Sequence, residues 1–99
     1  MITPLVQSEI EVALHELKNW SYIDDRLTRE IDFPCYATAI SFIVRISYEA
    51  EALNHHPKII NDGTFVSLVL TSHDTSDKVT SRDIVLAEKI ETLLQTYYM

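Results

Sequence analysis

Residues 54–74 read Asn54-His55-His56-Pro57-Lys58-Ile59-Ile60-Asn61-Asp62-Gly63-Thr64-Phe65-Val66-Ser67-Leu68-Val69-Leu70-Thr71-Ser72-His73-Asp74. Pro57 pushes His56 towards an extended conformation, so a helix arriving from upstream ends near the two histidines. Beyond it the character changes to strand. Lys58 to Ile60, then Asn61-Asp62-Gly63, then Thr64 to Ser72 predict strand, turn and strand, because Asp-Gly supplies the positive φ angles of a tight hairpin. Val66, Leu68 and Leu70 take one face of the second strand. Phe65, Ser67, Val69, Thr71 and His73 take the other, so His73 ends the more polar side.

Working outward, the stretch from Cys35 to Asn54 contains neither glycine nor proline. Ala39, Phe42, Ile43, Ile46, Ala50 and Leu53 recur at helical spacing and predict a long helix. Tyr36, Ile40, Val44 and Tyr48 widen its apolar stripe beyond what one sheet needs, which points to a second contact surface such as a subunit interface. Further upstream, Trp20 to Phe33 holds two short strand-like runs broken at Asp24-Asp25, and the second alternates Leu27, Arg29, Ile31 and Phe33 with Thr28, Glu30 and Asp32. Thr3-Pro4 reads as a helix start, with Val6, Ile10, Ala13, Leu14 and Leu17 as the buried stripe of a first helix over about Pro4 to Leu17. Downstream, 74–79 is a polar loop. Thr80 with Asp83 three residues later forms a capping box for a last helix carrying Ile84, Ala87, Ile90, Leu93 and Leu94, with Tyr97 and Tyr98 beyond. The order αββαββα predicts an α+β fold: a four-stranded antiparallel sheet with helices packed on one face, in a single domain over 1–99.

Fifteen acidic against eight basic residues give a net charge of −7, and the basic residues are scattered singly. Nucleic-acid binding, which depends on Lys and Arg neutralising phosphates, is therefore not expected. No run is long and apolar enough to span a bilayer, and the first ten residues do not resemble a signal peptide. Cys35 has no second cysteine with which to pair, and it reads as a buried small side chain. A cytoplasmic protein without membrane attachment is the expectation.

The strongest chemical constellation is His55-His56 with Glu51, four residues before His55 and so on the same helical face, where it could stabilise that ring's cationic form. Histidine changes charge near neutral pH and suits proton transfer. The same residues also read as a solvated helix end, or, with His73, as three zinc ligands with an open position. Asp83 alone reads as a helix cap.

Taken together, Glu51-x-x-x-His55-His56-Pro57, the strand ending Thr71-Ser72-His73-Asp74, and Asp83 at the start of the last helix resemble the signature of the pterin-4a-carbinolamine dehydratases. Leu17-x-x-Trp20, Leu27-x-Arg29 and Ala39-x-x-Phe42 are similar to that family too, so the likeness spans nearly the whole chain. The resemblance implies dehydration of a 4a-hydroxytetrahydropterin to quinonoid dihydropterin, with no metal and no organic cofactor, the pterin being the substrate. It assigns His55, His56 and His73 to catalysis, His56 and Asp74 to substrate binding, and Glu51 and Asp83 to supporting roles. It also implies a homodimer or homotetramer. An alternative on the same fold is a protein-binding module: a transcription-factor dimerisation cofactor, or a Rubisco assembly chaperone associated with carboxysomes. Three departures stand out. Ile59 and Gly63 occupy positions where the family carries aromatic residues, which would thin the stacking surface. The loop from His73 to Asp83 is one residue longer, which would shift Asp83.

Overall fold

The structure, a computed structural model, describes residues 3–97. The elements run α1 (Gln7–Leu14), β1 (Ser21–Ile23), β2 (Arg26–Asp32), α2 (Tyr36–Leu53), β3 (Lys58–Asp62), β4 (Phe65–Leu70), a 3₁₀ turn (His73–Thr75) and α3 (Ser81–Gln95). All strand pairs are antiparallel, in the order β1-β2-β4-β3. The expected α+β architecture is the one observed.

The first hairpin turns at Asp24-Asp25, where both residues take positive φ (52° and 61°). Ile23 faces Arg26 across this two-residue loop, and aspartate tolerates such backbone angles better than most side chains. In β2 the alternation is real: Leu27 and Ile31 are buried, as is Phe33 just beyond the strand. They pair with a strand whose Val66, Leu68 and Leu70 are likewise buried. Arg29 shares this covered face, where its Nε and the Trp20 Nε1 both donate to Glu91 Oε1 at 2.7 Å.

The helices cover that face. Ala39, Phe42, Ile46 and Ala50 of α2 are buried with Leu86, Ala87, Ile90, Leu93 and Leu94 of α3. Tyr97 closes one end, edge-on to Phe33 and Phe42 at centroid distances of 6.1 and 5.7 Å; Tyr98 lies outside the described residues. Tyr36, Val44 and Tyr48 are exposed on the far side of α2. No helix among the described residues is long and apolar enough to cross a membrane.

Three sequence expectations need correction. The first helix begins at Gln7, not Pro4. The Leu5 N–H donates to Val79 O at 2.9 Å, which holds the chain extended, and the Glu9 carboxylate caps the Val6 N–H at 3.0 Å. After Leu14 the chain continues through tighter i→i+3 bonds, Leu17 N to Leu14 O among them. The second hairpin turns at Gly63-Thr64 rather than Asn61-Asp62-Gly63, since Asp62 already pairs with Phe65. Asn61 stays in β3 and its Nδ2 donates to the carbonyls of Gly63 and Phe65, bracing the turn from inside the strand. Cys35 is exposed, not buried, because it occupies the N-cap of α2. Its Sγ sits 3.1 Å from Thr38 Oγ1, and hydrogen bonding from Thr38 holds the thiol below its ordinary range.

Gly63 has φ +58° and open space around its would-be Cβ. Gly63→Ala should therefore cost only the left-handed backbone penalty, about 1 kcal/mol, read as a lowered urea midpoint at unchanged slope.

Candidate functional site

The site lies where α2 runs out, at the end of the sheet beyond Leu70. Helix α2 stops because Asn54 takes the left-handed conformation (φ 51°, ψ 44°) and the His55 N–H closes back on Ala50 O at 3.0 Å, a helix-ending turn that asparagine tolerates. This reversal carries His55 inward, where it is 8% exposed.

His55 Nε2 lies 2.5 Å from Asp83 Oδ1. Asp83 is fully buried at the third position of α3. Its other oxygen accepts from Ser72 Oγ at 2.8 Å and from the Thr80 N–H at 2.9 Å. An ionised carboxylate only accepts, so the His55 nitrogen facing it carries a proton, and in the neutral ring Nδ1 is then the acceptor. Three donors thus meet this one carboxylate. Asp83 is both the expected cap and the partner of a histidine.

His56 points the other way, 2.9 Å from Glu51 Oε1, with both side chains largely exposed (62% and 79%). Glu51 therefore serves His56, not His55 as the i,i+4 spacing predicts. The left-handed turn at Asn54 takes residue 55 off the helical face before it can meet Glu51. An exposed pair of this kind is worth little stability. His73 stands on the 3₁₀ turn, its Nδ1 2.7 Å from Asp77 Oδ1 and its side chain 79% exposed. Next to it the Arg82 guanidinium grips Asp74 with both terminal nitrogens. These hydrogen bonds hold the Asp74 carboxyl below the usual carboxylate range.

Asn54, His55, His56, His73, Asp74 and Arg82 line one open pocket of about 210 Å³. Side chains of all three histidines, from two separate segments, thus border this pocket. Ile59 and Gly63 do not line it: Ile59 packs against the core opposite Leu68, and Gly63 is in the far turn. In the loop from His73 to Asp83 the chain takes left-handed angles at Ser76 and Asp77, the Ser72 N–H to Lys78 O bond at 2.9 Å closes the loop's base, and Asp83 reaches His55. Among the described residues no group of three His, Cys, Asp or Glu is placed to hold a metal ion.

Arg82 and Ser72 are the residues that sequence reading missed. Arg82 pairs with Asp74 across an irregular loop, a separation no periodicity marks, and Ser72 passes for an ordinary strand-end serine. A larger concavity of about 600 Å³ on the open sheet face, bordered by Ser21, Arg26, Thr28, Glu30 and Lys58, contains none of the histidines.

An antiparallel sheet backed by helices, with a carboxylate-held histidine at the rim of a polar pocket, places the chain among small α+β proteins. The chain matches the profile of the family described as pterin 4 alpha carbinolamine dehydratase over residues 3–93. A protein of Opitutus terrae named as a pterin-4-alpha-carbinolamine dehydratase is 42% identical over 93 residues, covering 94% of this chain and 96% of the relative. One of the same name from Solibacter usitatus is 37% identical over 93 residues, covering 94% and 97%. The crystal structure of a transcriptional coactivator/pterin dehydratase from Brucella melitensis superposes with a TM-score of 0.87 at 32% identity, covering 92% of this chain and 98% of that one. The chain belongs to the pterin 4 alpha carbinolamine dehydratase family. None of these three relatives is named for Rubisco assembly or carboxysomes, so that expectation finds no support in them.

Proposed function

We propose that the protein is a cytoplasmic hydro-lyase that converts 4a-hydroxytetrahydropterin to quinonoid dihydropterin, using imidazole acid–base catalysis and no cofactor. The observation that carries this reading is the meeting of His55, His56 and His73 around one pocket, with His55 backed by a buried carboxylate.

The reaction breaks the ring N–H bond next to the carbinol carbon and the carbon–hydroxyl bond, and forms a carbon–nitrogen double bond. A base takes the nitrogen proton, while an acid donates a proton to the departing hydroxyl, which leaves as water. His55 suits the base, since Asp83 fixes the proton on Nε2 and leaves Nδ1 as acceptor. His73, solvent-exposed and held by Asp77 through Nδ1, suits the acid. His56 and Asp74 border the pocket as substrate contacts, and Glu51 orients His56.

Freshly generated carbinolamine should dehydrate faster in the presence of the protein than in buffer, followed by the absorbance of the quinonoid product. No acceleration by folded protein would refute the reading. The protein-binding alternative would then be tested by co-purification.

The reading includes a homodimer or homotetramer, supported by the exposed Tyr36, Val44 and Tyr48 on α2. Sedimentation at micromolar concentration should give two or four chains per particle; a monodisperse monomer would exclude it.

A further inference from the structure

Ser72 is a fully buried polar residue between the two halves of the site. Its hydroxyl has one proton, and Asp83 Oδ2 at 2.8 Å can only accept it. The Thr80 hydroxyl, 2.7 Å away, must then donate to Ser72 Oγ, while its own oxygen accepts the Arg82 N–H at 3.2 Å. Every proton in this chain points the same way: Arg82 N–H to Thr80, Thr80 to Ser72, Ser72 to Asp83, with His55 Nε2–H meeting the other carboxylate oxygen. The Ser72 main chain does separate work. Its carbonyl accepts from the N–H groups of Thr75 and Asp77 at 3.0 and 3.1 Å, and its N–H donates to Lys78 O, so it anchors the loop on which His73 stands.

We propose that Ser72 is a positioning residue for the dehydration: through Asp83 it fixes the orientation and tautomer of His55, and through its backbone it sets His73 at the opposite side of the pocket. The inference rests on the dehydratase reading for its kinetic part, but the tautomer part stands without it. Without the Ser72 proton, Asp83 Oδ2 retains only the Thr80 N–H and the carboxylate is freer to rotate away from His55. Around metal sites, partners that orient a ligating histidine indirectly change affinity or activity by about ten- to a hundredfold, and a similar order is expected for Ser72 acting through Asp83.

The test combines two readouts on Ser72→Ala and Ser72→Thr. In ¹⁵N-imidazole NMR at mildly alkaline pH, the wild type should show His55 protonated at Nε2, with a slowly exchanging proton. Ser72→Ala should broaden or lose that signal and lower kcat by about tenfold, with KM within about twofold, whereas Ser72→Thr restores both because it keeps the hydroxyl. Should Ser72→Ala fail to fold by circular dichroism, Ser72→Cys, close in size and a weaker donor, carries the same expectation. An unchanged Nε2 proton signal in the alanine or cysteine variant overturns the proposal, as does a kcat loss that Ser72→Thr does not repair. If the wild-type protein shows no dehydratase activity, the functional reading fails and the NMR signal alone decides the role of Ser72.

Discussion

His55→Ala and His73→Ala are each expected to lower kcat by about 10²–10⁴-fold, with KM changed far less. The two rings border one pocket from different segments, His55 from the turn after α2 and His73 from the turn after β4. Each is assigned one proton-transfer step, and alanine leaves only water to replace it. The variants should still fold. His73 is exposed and paired only with Asp77, and removing His55 leaves the Ser72 and Thr80 donors on Asp83. Stopped-flow assays on carbinolamine formed in the cell, with thermal melts alongside, separate lost chemistry from lost structure. Activity within threefold of wild type in both variants would contradict the acid–base assignment.

The second large effect falls on stability. Asp83→Ala removes a fully buried carboxylate that accepts from His55, Ser72 and the Thr80 N–H. It strands those donors in the interior and uncaps α3. Each buried donor left without a partner costs about 1–3 kcal/mol and the lost cap about 1 kcal/mol, together a large part of the total stability of a domain this size. Urea unfolding should show the midpoint fall accordingly. Asp83→Asn should lose less stability, because an amide oxygen can still accept the Thr80 N–H, but its NH₂ cannot serve as acceptor for His55 Nε2–H. A midpoint shift below about 1 kcal/mol for the alanine variant would mean that the buried network contributes far less than its geometry implies.

The fold was readable from the chain because its strands alternate and its helices repeat: Leu27 and Ile31, and Ala39, Phe42 and Ile46, all lie where their spacing places them. Local readings went astray where a distant partner decides. Thr3-Pro4 has the chemistry of a helix start, yet Val79, more than seventy positions away, holds that segment extended through Leu5. Asp62-Gly63 has the chemistry of a hairpin turn, yet the register with β4 moves the loop on by one residue. In the site, the three histidines were evident as types and positions, but the pairing of histidine with carboxylate was not. It depends on the left-handed angle of Asn54, which exchanges the neighbour that helical spacing gives His55 for one 28 residues along.

The strand order has a consequence for how the protein acquires its site. Two of the three strand pairings are hairpins between sequence neighbours, of a kind that forms within microseconds. The third joins β2 to β4 down the middle of the sheet, setting Leu27 against Leu70 and Asp32 against Phe65 with all of α2 between them. That seam must wait for a long loop to close, an entropic cost met before its contacts exist to repay it. The pocket sits just past Leu70 and needs α3 to deliver Asp83. A chain emerging from the ribosome can therefore hold both hairpins and all three histidines while having no site at all. The site is complete only once that seam has formed and α3 has brought Asp83 to His55.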